Sequence, residues 1–303
     1  MIVFIADMQV FAKESSLNRY RTLQDLEKEA DVRVVTPQNF KLQTLDKKDV
    51  IIFYFLRPHA HASVDSIIPL VQPVISRCHK IFFYIEDIYH IEKIMSLCRR
   101  FQIYKLIFSI SHQKFQQRFP SHYSIQVWDH SIDLTLFRNL DQPKRYDIVF
   151  YGNINPKIYP FRARLFRVIF NNPLLRHLKK KVVPFRGYKH QDTVEQDLSV
   201  EIASAWLSIA TTSKYNFLTK KYIEIPCCGT MILGNIPTNY RHIFNYASIC
   251  KVTPEMSNMQ IAQKILECLA DKDKLSAQIA SLKEKVSTTF DRKKSYANLK
   301  KLL

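Results

Sequence analysis

YDIVFYGNINPKIYPFRAR (146–164) reads as a strand, a tight bend and a helix in direct succession. The apolar run YDIVFYG ends at Gly152, and PFRAR opens a helix with proline in its first turn, where the missing N–H costs nothing. A second stretch of the same kind, KYIEIPCCGTMILG (221–234), runs from a helix through a small-residue bend into a strand. These two stretches hold three of the four glycines, Gly152, Gly229 and Gly234; the fourth is Gly187, and the first 151 residues contain none. Glycine is needed where backbone turns with φ > 0 or approaches something closely. A chain that reserves glycine for the ends of strands in one region marks that region as the place of a site.

Outward from there the pattern is β-α alternation. MIVFIA (1–6), VRVVT (32–36), VIIFYFL (50–56), KIFFYIED (80–87), YKLIFSIS (104–111) and SIQVW (124–128) are β-type runs. Between them lie helical spacings such as Leu17, Tyr20, Leu23 and Leu26, and helices near 62–77, 90–101 and 112–118. The charged, aperiodic segment DHSIDLTLFRNLDQPKRYD (129–147) reads as a linker, which puts a domain boundary near 140. The pattern then restarts: strands at 147–152, 180–187, 206–211, 229–235 and 247–253, and helices at 160–171, 193–204, 217–225, 257–270, 272–288 and 291–303. Strands apolar on both faces and alternating with helices predict doubly wound parallel sheets. Two such domains, 1–140 and 141–303, fit the length of 303 residues.

Composition bounds the partners. Residues 141–303 carry 27 Lys and Arg against 13 Asp and Glu, whereas residues 1–140 carry 18 against 14. A basic second half predicts an anionic partner: ligand phosphates, nucleic acid or an acidic membrane face. No apolar run approaches the length of a membrane-spanning helix, and MIVFIADMQV reads as a first strand rather than a signal peptide. The six cysteines form no CxxC pair, which argues against a zinc site and for the reducing cytoplasm.

Three segments carry candidate chemistry. In 151–164, Gly152, Lys157, Arg162 and Arg164 combine a strand-end bend, a helix start and cations, the ingredients of an anion site. In 211–235, Ser213 or Asn216 is expected to cap the helix, Pro226 to end it, and Lys220, Lys221 and Glu224 to lie on it. Cations there suit a pyrophosphate and the carboxylate suits ribose hydroxyls, although Lys221 and Glu224 also fit an ordinary i,i+3 surface pair. In FFYIEDIYH (82–90), Asp87 at a strand end could take a proton from a hydroxyl or simply cap the next helix. The pair of histidines in RPHAH (57–61), the DKD of 271–273 and the basic run RHLKKK (176–181) read more simply as a loop, a turn and a solvated face.

The stretches KYIEIPCCGTMIL and QVWDHSIDLTLF (126–137) resemble the donor-site block and the interdomain passage of two-domain glycosyltransferases of the GT-B fold, most clearly over 146–290. Within that group the sequence is similar to the CgeB-like and group 1 glycosyltransferases and to the phage DNA β-glucosyltransferase. The resemblance implies two Rossmann-like domains facing across a cleft, with the last helix crossing back to the first domain. It implies a nucleotide-sugar donor, a UDP-sugar, held in the second domain by Gly152, Lys157, Arg162, Arg186, Ser213, Asn216, Lys221 and Glu224. It implies Asp87 as the general base and no required cofactor, leaving a divalent metal open. Asn216 stands where retaining members carry a first glutamate, so direct displacement with inversion is the expected course. The acceptor is a hydroxyl of a glycan, a protein or a lipid-linked molecule; a hydroxylated base in DNA and a non-catalytic, polyanion-binding role are the alternatives. Cytoplasmic location with peripheral contact to an acidic membrane completes the expectation.

Overall fold

The computed structural model describes all residues except 7, 9–16, 56–66, 86–90, 110–116, 130, 185–190 and 246–247. The chain forms two compact units: Met1–Ser131 together with Arg292–Leu303, and Ile132–Asp291. The sequence reading placed the divide near 140.

In the first unit, strands β1 (Ile2–Ile5), β2 (Val32–Val35), β3 (Val50–Phe55), β4 (Lys80–Ile85), β5 (Lys105–Phe108) and β6 (Ser124–Val127) form one parallel sheet in the order β2-β1-β3-β4-β5-β6. The register runs Ile2↔Val50 through Ile5↔Phe53 and Val50↔Lys80 through Phe55↔Ile85. The central strands are aliphatic and aromatic and are buried on both faces, as a sheet covered by helices requires. Helices α1 (Leu17–Leu26), α2 (Ile68–Ile75) and α3 (Ile91–Phe101) connect them. Of the expected helix near 112–118, residues 112–116 fall outside the described residues and 117–118 form a turn; most of the first half of the one near 62–77 also falls outside them.

In the second unit, β7 (Tyr146–Tyr151), α4 (Pro160–Asn171), β8 (Lys180–Val183), α5 (Gln191–Ala203), β9 (Ala205–Ile209), α6 (Lys221–Cys227), β10 (Met231–Gly234) and β11 (Cys250–Lys251) alternate in sequence. The sheet is again parallel, in the order β11-β10-β9-β7-β8. Order reverses on either side of β7, so the crevice between the carboxyl ends of β7 and β9 is this sheet's topological switch point. Helices α7 (Asn258–Ala270) and α8 (Lys272–Thr289) complete the unit. Asp271 of the DKD sequence caps α8 by accepting from the Lys274 N–H at 2.9 Å.

The last helix, α9 (Arg292–Leu302), belongs to the first unit. Leu299 is fully buried there, and the Trp128 indole donates to the Ser295 carbonyl and hydroxyl at 2.9 and 2.8 Å. Arg292 pairs with Asp25, and Tyr296 and Lys300 both reach Asp31.

Two local expectations fail. Helix α6 does not stop at Pro226, which lies inside it; one lost N–H bond in the last turn is tolerated, and the helix ends at Cys227, with Gly229 at φ 73° turning the chain just beyond its cap. Neither Ser213 nor Asn216 caps α6, which starts at Lys221 with no side-chain cap. The Ser213 hydroxyl instead accepts from the Tyr215 N–H at 3.1 Å, and the Asn216 amide donates to Thr238 at 2.7 Å. The segment between β9 and α6 is a turn of its own, with Asn216 at φ 56°.

Candidate functional site

The carboxyl ends of β7, β9 and β10 converge in the second unit. Gly152 ends β7 with φ 85°, and a Cβ there would lie 3.1 Å from the Lys221 Cε and Nζ. Glycine is required twice over, by the backbone and by the lysine passing against it. Gly234 ends β10, where a Cβ would fall 1.7 Å from the Ala210 carbonyl oxygen. Small residues at these strand ends let the neighbouring segments close on one another. The segment after β9 is tied to the next loop by the Asn235 side chain, which accepts from the Thr212 N–H at 3.1 Å and donates to its hydroxyl at 2.8 Å. The Lys214 N–H donates to the Ile158 carbonyl at 2.9 Å, which joins it to the loop carrying Lys157.

Lys221 and Glu224 do not form a surface pair with each other. Both reach Tyr151: the Lys221 ammonium donates to its carbonyl, and its hydroxyl donates to Glu224 Oε2 at 2.9 Å. The ammonium also lies 3.5 Å from the centre of the Tyr151 ring. Lys221 is only 7% exposed. Burial pulls its pKa well below the usual lysine range; the positive charge of Arg162 adds to this, and Glu224 opposes it. Burial, with the adjacent Glu224 carboxylate, drives the Tyr151 phenol well above its ordinary value, so this hydroxyl stays a donor.

Arg162 is 2% exposed. Its guanidinium donates to the Thr211 hydroxyl at 3.2 Å, the Thr211 carbonyl at 3.1 Å and the Asn153 carbonyl at 3.2 Å, and packs over the Tyr159 ring at 3.8 Å. Its partners on the segments after β7 and β9 fix it at the switch point.

The site therefore gathers two buried cations against one carboxylate. Buried charge is costly unless paired, and an anion entering here would offset the excess. The group can hold and stabilise negative charge, and its one carboxylate, Glu224, accepts from the Tyr151 hydroxyl.

Of the expected donor-binding residues, the structure brings Gly152, Arg162, Lys221 and Glu224 together. Ser213 is buried on the adjoining segment; Lys157 is exposed on the loop beside it. Asn216 turns to Thr238. Arg186 and Asp87 lie outside the described residues, as do the RPHAH histidines. Sequence reasoning missed Tyr151, Thr211 and Asn235. Tyr151 reads as one more apolar strand residue, and its position directly before Gly152 is the only sign that it ends in a site. Among the described residues no cluster of His, Cys, Asp and Glu has the makings of a metal site, and no helix is long and apolar enough to cross a membrane.

No family model and no curated protein matches the chain by sequence. Solved structures match it along its whole length. Anabaena HepE, in a crystal with UDP and glucose, superposes with a TM-score of 0.62 at 13% identity, over 99% of this chain and 98% of that one. Sucrose-phosphate synthase from Thermosynechococcus elongatus gives 0.63 at 12% identity, over 99% and 97%. The chain has the GT-B fold. T4 phage BGT, crystallised with its UDP-glucose substrate, superposes on this GT-B chain at 0.59 and 10% identity, over 99% of each. The two-sheet α/β architecture expected from the strand pattern is thus the observed one.

Proposed function

We propose that the chain is a nucleotide-sugar-dependent glycosyltransferase. The second unit holds the donor, a UDP-sugar, and the first presents the acceptor, a hydroxyl of a glycan, a protein or a lipid-linked molecule. One observation carries the reading: Lys221 and Arg162, two buried cations against a single carboxylate, lie at the switch point of the second sheet. They stabilise the diphosphate as it leaves, Glu224 grips the ribose, and Gly152 lets the Lys221 side chain pass against the strand end. Lys157, Arg186, Ser213 and Asn216 surround the donor, and Asp87 takes the proton from the attacking hydroxyl in an inverting displacement. Solved GT-B structures with UDP or UDP-glucose bound support the donor class.

The test is a thermal-shift panel of UDP-glucose, UDP-galactose and UDP-N-acetylglucosamine. A donor at 100 times its Kd stabilises by about 2.7 kcal/mol. No shift with any nucleotide-sugar or with UDP would remove the proposal. Asp87→Asn should abolish transfer and leave the shift intact; transfer at the unaltered rate would show that Asp87 is not the base.

A further inference from the structure

A second place in the same unit has the chemistry of an anion site. A surface cavity of about 480 Å³ is lined by Arg164, Arg167, Val168 and Asn171 of α4, by Asn172, and by Asn258 at the start of α7. The α4 residues recur at i, i+3, i+4 and i+7, which makes one helix face. At 100° per residue that face points away from the buried Arg162, so the cavity is separate from the Lys221 site.

The hydrogen bonds show what the cavity offers a ligand. Arg164 is held through all three of its nitrogens: it donates to the Pro254 carbonyl at 2.6 Å, to the Met256 carbonyl, and to Asn258 Oδ1 at 3.0 Å. Asn172 Oδ1 accepts from the Leu174 N–H at 3.0 Å. Both partners are pure donors, so the oxygen of each amide is identified and its NH₂ is what remains. Arg167 uses only Nε, toward the Ala163 carbonyl at 3.4 Å, which leaves both terminal nitrogens. No carboxylate lines the space. The wider field has the same sign: residues 148–191 contain ten Lys and Arg and no Asp or Glu. The capping box of Ser257 and Gln260 already occupies donors at the end of α7, so the side chains carry the site.

We propose that this cavity binds a phosphorylated sugar, with its phosphate on Arg167 and the amide NH₂ groups of Asn172 and Asn258. The hydroxyls of the sugar meet Asn171, and its C–H face rests on Val168. The volume lies in the range of small-molecule sites and exceeds what a bare phosphate fills.

The experiment is calorimetric titration of the full chain with glucose 6-phosphate, repeated with saturating UDP and with Lys221→Met. The expected Kd is tighter than about 1 mM, unchanged by UDP or by Lys221→Met. Arg167→Glu changes an exposed side chain and should weaken it at least about tenfold; Asn258→Asp keeps an oxygen for Arg164 and should do the same. Absence of saturable binding would overturn the proposal. So would competition by UDP or loss in Lys221→Met, which would put the ligand at the ends of β7 and β9. Inorganic phosphate binding as tightly as glucose 6-phosphate would also overturn it, since the sugar would then contribute nothing.

Discussion

Replacing Lys221 with methionine separates a strut from a ligand-binding group. A methionine fills the space of the alkyl chain and removes the charge. In the free protein this relieves the burial of the ammonium and its repulsion from Arg162, both of which lower the Lys221 pKa. It also removes one donor from the Tyr151 carbonyl, a loss of about 1–3 kcal/mol. Replacing a buried charge by an apolar group of similar shape is often neutral or stabilising, so the two effects should cancel to within about 1 kcal/mol. Binding of UDP behaves differently. A hydrogen bond to a charged group contributes about 1.5–3 kcal/mol, so Kd should rise about ten- to a hundredfold. A pH signature accompanies it. Folded Lys221 releases its proton below the value of about 10.5 that the unfolded chain retains. The unfolded state therefore binds more protons between the two, and the Lys221 contribution to stability rises with pH across that window. Diphosphate binding favours the charged form, so affinity falls as pH rises above the lowered pKa, by up to about tenfold per pH unit. Lys221→Met should flatten both dependences. Calorimetry of UDP in two buffers of different ionisation enthalpy reads the proton uptake, and urea unfolding reads the stability. A variant that unfolds cooperatively and binds UDP within a factor of about two of the parent would refute the cationic seat. A stability loss beyond about 3 kcal/mol would show that the lysine is a strut.

Three further substitutions test the packing of the two units, Gly234→Ala and Lys144→Met in the second and Leu299→Ala in the first. Gly234→Ala drives a Cβ to 1.7 Å from the Ala210 carbonyl oxygen; the cost should be about 3 kcal/mol or more, seen as loss of soluble protein or a large fall in Tm. Lys144 donates to the carbonyls of Ala203, Ala205 and Gly229 at 2.8, 2.8 and 2.6 Å. Lys144→Met leaves those acceptors short of a donor and should cost about 2–4 kcal/mol at neutral pH in chemical denaturation. Leu299→Ala opens a cavity under α9 and should cost about 2–5 kcal/mol; urea unfolding followed by Trp128 fluorescence in a Trp206→Phe background measures it.

The alternation of apolar runs with helical spacings carries the fold in the sequence, because a strand buried on both faces must be apolar at every position. Glycine scarcity also marks the bends of the candidate site: Gly152 and Gly234 stand where one Cβ would strike Lys221 and another the Ala210 carbonyl. The local wiring was not legible. Lys221 and Glu224 at i,i+3 look like a surface pair, and only the tertiary approach of Tyr151 turns both toward the sheet. Pro226 reads as a helix stop, yet one missing N–H late in a short helix is a small loss, and the helix runs on to Cys227. Arg162 looks like any cation in a helix; its commitment to Thr211 depends on β9 lying beside β7, which no local pattern encodes.

The closing helix makes the beginning of the molecule depend on its far end. Trp128 meets its acceptor, Ser295, 167 positions later in the chain. A ribosome delivers residues from the amino end, so Ile132–Asp291 can fold while the earlier unit still lacks its final piece. A nonsense codon at residue 292 would thus spare the segment nearest to it and harm the one translated first.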